Sequence, residues 1–79
     1  MERLIVRLNS IKKVQEFVDI ANQYDKDISI RLGRYLVNGK SILSILCLEL
    51  QSNLILEIES GENLSALIQK LETYIVSDS

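Results

Sequence analysis

Val37-Asn38-Gly39-Lys40-Ser41-Ile42-Leu43-Ser44-Ile45-Leu46-Cys47-Leu48 changes from strand to helix partway along its length. A short strand over residues 35–37 runs into Asn38-Gly39, a turn signal. Ser41 then stands where a helix N-cap belongs, because its hydroxyl can accept from a free amide of the first turn. A short helix over residues 42–48 follows.

The chain upstream reads by the same two periods. Ile28, Ile30 and Leu32 alternate with Ser29 and Arg31 as a strand, and Gly33-Arg34 supplies a tight turn into residue 35. Before it, Ile11, Val14, Phe17, Val18, Ala21 and Tyr24 recur at spacings of three and four, one apolar stripe on a helix. Asn9-Ser10 offers capping side chains at its start. Residues 3–8 alternate, with Leu4, Val6 and Leu8 on one side and Arg3, Ile5 and Arg7 on the other.

Downstream, residues 49–53 are polar. Leu54, Leu56 and Ile58 alternate with Ile55, Glu57 and Glu59 as a fourth strand. Gly61-Glu62-Asn63 opens a last helix whose stripe is Leu64, Leu67, Ile68, Leu71 and Ile75. The order is βαββαβα. Strands with one apolar face suit an antiparallel sheet, and three helical stripes suffice to cover that face. The expected fold is α+β: an open-faced β-sandwich, a four-stranded antiparallel sheet with three helices on one face. Residues 1–79 make a single domain.

Composition narrows the chemistry. The chain has 79 residues, of which 47% are hydrophobic, so aliphatic burial must supply the core. One cysteine closes no internal disulfide, and without histidine there is no zinc set. We expect no metal and no cofactor. The net charge of −2 disfavours a nucleic-acid partner. The run from Ile42 to Leu48 is too short to span a bilayer, and Met1-Glu2-Arg3 begins no signal-peptide core. The expectation is a cytoplasmic protein without a membrane partner. There is also no nucleophile–base pair and no Gly-rich phosphate loop, so an enzyme is not expected.

The Val37–Leu48 segment resembles the strand-turn-helix segment of HPr, the histidine-containing phosphocarrier family of the sugar phosphotransferase system. That family typically shows Val-Asn, then Lys-Ser-Ile, then an aliphatic and methionine-rich helix, and its βαββαβα order matches over essentially the whole chain. Aligning on Lys40-Ser41 needs no gap back to the first strand. Ser10 then falls at the family's phosphorylated histidine, Lys12 at the arginine of His-Ala-Arg-Pro and Lys13 at the proline. The active-site motif is absent while the Ser41 region survives, as in a related class of paralogues that act in carbon catabolite control.

The resemblance implies a family member without histidine phosphocarrier activity. A serine hydroxyl lacking an adjacent base is a poor nucleophile, and its phosphoester is a poor donor. For Ser10 the plain reading is an N-cap. Ser41 is the regulatory candidate, because the family's equivalent serine is phosphorylated by a dedicated kinase; an unmodified N-cap is the competing reading. Lys12 and Lys13 oppose the helix dipole and attract anions, or they are solvated surface lysines. By resemblance, Leu43 and Leu46 belong to an exposed apolar patch that docks partners, with Ile42 and Ile45 more buried. The expected partner-binding set is Ser10, Lys12, Lys13, Lys40, Leu43 and Leu46. The partners implied are phosphotransferase-system components, an HPr serine kinase or a transcriptional regulator. Cys47 has no activating neighbour and is expected in the core.

Other readings stay open. One is a phosphocarrier using a different residue. Another is a degenerate HPr-fold protein with a structural or self-association role. In either case a monomer or weak dimer is expected. Ile5 and Ile55 point away from the expected core, and on neighbouring strands they would form an apolar spot; scattered surface isoleucines are the simpler alternative. An RNA-binding sheet would need stacking aromatics, and Phe17, Tyr24 and Tyr74 fall to helices instead.

Overall fold

The computed structural model describes residues 1–76. Strand β1 (Glu2–Val6) leads into helix α1 (Ile11–Ala21). Strands β2 (Ile28–Leu32) and β3 (Tyr35–Asn38) form a hairpin. Helix α2 (Ile42–Leu46), strand β4 (Leu54–Ile58) and helix α3 (Leu64–Lys70) follow, and a 3₁₀ turn over Glu72–Tyr74 closes the order. The four strands lie β1-β4-β2-β3, every neighbouring pair antiparallel. Among the described residues no helix is long and apolar enough to cross a membrane.

Alternation sorts each strand between two faces. Val6, Ile28, Ile30, Leu54, Leu56 and Ile58 are buried on the inner face. Val14, Phe17 and Ala21 of α1, Ile45 of α2 and Leu67 of α3 close over them. The free edge of β1 is partly covered by the C-terminal segment: the Arg7 amide donates to the Tyr74 carbonyl (2.9 Å) and the Val76 amide to the Ile5 carbonyl (2.8 Å).

Three expectations need correction. Cys47 is exposed, not core. Helix α2 stops at Leu46 rather than residue 48, and Ile45 and Leu48 take its buried side, so Cys47 caps the outer side. Ile75 is not helical: the chain tightens into the 3₁₀ turn, and Ile75 forms an isolated bridge with Val6. Ile11 continues the α1 stripe in spacing but is 60% exposed, because it is the first helical residue and nothing packs over the helix mouth.

Gly33 turns the β2–β3 hairpin at φ +60°, a region that penalises side chains. Gly39 is needed for closeness instead. Its amide donates to the Ile28 carbonyl (2.8 Å), and an added Cβ would lie 2.6 Å from Ile28 Cγ2 and 3.1 Å from the Ile28 oxygen. Ile28 is β-branched and buried, so it yields little. We expect Gly39→Ala to cost about 1–3 kcal/mol in urea unfolding; an unchanged midpoint would contradict this packing.

The outer sheet face holds a buried charge. Glu57 is 7% exposed, and its Oε2 accepts from Arg31 Nε and Arg3 Nε, each at 3.2 Å. The Arg31 hydrogen bond holds the carboxyl below its usual range, with Arg3 assisting against the opposing effect of burial. A depressed folded-state pKa means that this stabilisation is complete above the unfolded glutamate value. It disappears as pH falls through the lower, folded value. Wild type should therefore exceed Glu57→Gln in stability at neutral pH, and the gap should close in acid. Parallel urea titrations across the acid range check this, and a gap constant with pH would contradict it.

Candidate functional site

Helix α1 begins where Ser10 leaves the extended conformation (φ −153°, ψ 156°), and its Oγ accepts from the Lys13 amide at 3.2 Å. Helix α2 begins the same way: Ser41 Oγ accepts from the Ser44 amide at 3.3 Å. Both serines are thus N-caps, each satisfying one orphan donor of its first turn. No acidic residue balances the first turn of α1, so Lys12 and Lys13 stand exposed against the positive end of the helix dipole.

Two tethers set the relation of these caps. At the C-terminal end of α1, Asn22 Nδ2 donates to the Lys40 carbonyl (3.2 Å) and to the Val18 carbonyl (2.9 Å). This holds the entry of α2 against the exit of α1. At the other end, Gln51 Nε2 donates to the Asn9 carbonyl (3.3 Å), bringing the loop after α2 beside the mouth of α1. Ser10, Lys12 and Lys13 therefore sit at one end of α1, and Ser41 and Lys40 at the other. A helix of this length spans ~16 Å. The candidate residues share one side of the molecule but form two ends of a surface rather than one cluster.

Helix α2 bridges the ends. Leu43 is 75% exposed, Leu46 and Ile42 are half-buried against the core, and Ile45 is buried. Lys40 is already engaged: its ammonium donates to the Tyr24 carbonyl, so it braces the bend between α1 and β2. Two residues were missed by sequence reasoning. Ile11 adds an exposed apolar side chain beside Ser10, and only its position as the first helical residue hinted at exposure. Asn22, which places Lys40-Ser41 against α1, carried no signal in the sequence.

A known family shares this fold. The family model described as "PTS HPr component phosphorylation site" matches residues 11–77, directly after Ser10. The chain belongs to the HPr family of the phosphotransferase system. Solved HPr structures agree. HPr-C-His from Thermoanaerobacter tengcongensis superposes with a TM-score of 0.75 at 24% identity, covering 92% of this chain and 89% of that one. The phosphocarrier protein HPr from Bacillus anthracis str. Ames gives 0.70 at 26% identity, covering 95% and 94%. The histidine-containing phosphocarrier protein of Mycoplasma gives 0.69 at 14% identity, over 91% and 86%, a likeness of fold. A search of curated proteins found no match. Within this HPr-family chain there is no histidine at any position.

Proposed function

We propose that this HPr-family protein acts as a regulatory or adaptor protein and not as a histidine phosphocarrier. The observation that carries this reading is Ser10, with its oxygen committed to the Lys13 amide, in a chain that has no imidazole. A phosphocarrier needs a nitrogen that is nucleophilic near neutral pH and forms a bond labile enough to pass the group on. Imidazole alone meets both needs unaided. The docking surface in this reading comprises Ser10, Lys12 and Lys13 at one end, Leu43 and Leu46 on α2, and Lys40 at the other end. Its partners are other proteins of the phosphotransferase system, a serine kinase or a transcriptional regulator.

Ser41 is the proposed control point. Its hydroxyl accepts one amide and remains half-exposed, so the oxygen is open to modification. A phosphate there would add nearly two negative charges at the far end of the docking surface from Lys12 and Lys13.

The test is a pair of incubations read by intact-mass spectrometry. With the system's first enzyme and phosphoenolpyruvate, we expect no added phosphate. With an HPr serine kinase and ATP, we expect one phosphate, abolished by Ser41→Ala. Acid-labile phosphate that passes to a downstream acceptor would overturn the non-carrier reading. An unmodified Ser41 beside a competent kinase would remove the regulatory half and leave an adaptor.

A further inference from the structure

The chain uses its two cationic residue types in different places. Its four arginines are Arg3 on β1, Arg7 directly after it, Arg31 on β2 and Arg34 in the β2–β3 turn. Its five lysines lie outside the sheet strands. Alternation against the buried Val6 and Ile30 sends Arg3, Arg7 and Arg31 to the outer face, opposite the helices. Arginine combines a flat apolar surface with a charge and keeps more contact area than lysine does.

The register supplies the centre of that face. Ile5 pairs with Ile55, Ile55 with Arg31, and Arg31 with Leu36, one continuous row across all four strands. Ile55 is 39% exposed and Leu36 is 52% exposed, and both are uncovered in the monomer. The charges divide on either side of the row. Toward the β2–β3 turn lie Arg7 and Arg34. Toward the other strand ends lie the carboxylates of Glu57, Glu59 and Asp27, with Arg3 and the head of Arg31 both bonded to Glu57, so that Glu59 and Asp27 carry the excess negative charge.

We propose that this outer sheet face is a self-association surface, taken by a second copy of the chain through a two-fold axis. With that axis lying between the two faces and perpendicular to the strands, this isologous contact reverses the strand direction of one copy over the other. It stacks the apolar rows at the centre and sets Arg7 and Arg34 of each copy toward Glu59 and Asp27 of its partner. Parallel stacking would oppose like charges and is disfavoured. Four strands at ~4.8 Å spacing and about five residues at ~3.3 Å make a face roughly 19 by 16 Å. That is small beside the ~800 Å² per partner of a standard interface, so the dimer is weak, with a dissociation constant on the order of 0.1 mM. The helices lie on the opposite side, so both α1–α2 surfaces remain open, and the pair presents two docking sites to a partner.

Sedimentation equilibrium from ~10 µM to ~1 mM, a range bracketing that constant, reads the association. We expect wild type to dimerise, and Ile55→Lys and Ile5→Lys each to raise the dissociation constant at least ~10-fold. Leu43→Asp, on the opposite side, should leave it unchanged. Because Ile5 is half-buried, circular dichroism must confirm that each variant is folded. Concentration-dependent amide shifts in wild type provide a variant-free readout, centred on β1 and β4. A strict monomer at the top of the range overturns the proposal. So does a dimer that survives both lysine variants, which would point to pairing along the β3 edge, or a dimer lost in Leu43→Asp, which would place the contact on the helices.

Discussion

Phe17→Ala should remove about 3–5 kcal/mol of stability, a large share of the ~4–12 kcal/mol expected for a domain of this length. Phe17 is fully buried at the centre of α1 and heads the largest enclosed side chains. Its ring meets Tyr74 edge-on, with centroids 6.3 Å apart and planes at 84°. Tyr74 belongs to the 3₁₀ turn, its hydroxyl donates to Glu16 of α1 (3.0 Å), and its carbonyl holds the Arg7 amide. One ring thus joins the leading helix, the last turn and the edge of β1. Truncation loses the buried area, the aromatic contact and the closure of that corner, and leaves a cavity that the rigid sheet cannot fill. Urea unfolding followed by circular dichroism measures the loss, and thermal unfolding should drop by more than about 12 °C. Phe17→Leu keeps most of the volume and should cost less than half as much. A loss below ~1 kcal/mol for the alanine variant would mean that Phe17 is not the keystone of this core.

The parts of the fold legible in the sequence were those governed by local periodicity. β2 and β4 followed from strict alternation, α1 from its stripe, and both serine caps from the polar residue before an apolar run. The errors fell at element ends, where tertiary contacts decide. Leu48 reaches the core from a turn rather than from helix, and that turn exposes Cys47. Ile75 fits the spacing of α3, but its backbone is drawn into the bridge with Val6.

The site was legible in composition but not in arrangement. The missing histidine is a fact of sequence, and the position of Ser10 at a helix mouth followed from capping. The separation of Ser10 from Ser41 was not readable, because it depends on Asn22 gripping Lys40 and Gln51 gripping Asn9 across long sequence gaps. The Arg3–Glu57–Arg31 group was hidden for the same reason. Its members come from three strands, and only the register β1-β4-β2 makes them neighbours.

Leu43→Asp should weaken binding to a cognate protein of the phosphotransferase system by at least ~30-fold, a loss of about 2 kcal/mol or more, while leaving the fold intact. The two effects separate because Leu43 contributes little to the core: it is 75% exposed on a helix whose inward positions are held by Ile45 and half-held by Ile42 and Leu46. Aspartate in the first turn of a helix also favours the dipole, so α2 has no reason to unravel. At a docking surface, by contrast, an exposed leucine is the residue a partner would desolvate, and burying a carboxylate in its place would cost that group its hydration. Lys12→Ala and Lys13→Ala should behave differently. They lie at the far end of α1, fully solvated, so their loss should mainly slow association and reduce its salt dependence. Titration calorimetry against the first enzyme of the system, with stopped-flow at two ionic strengths, resolves the patterns. Wild-type affinity in folded Leu43→Asp would move the docking surface off α2, and with it the reason for placing a phosphorylation switch at the cap of that helix.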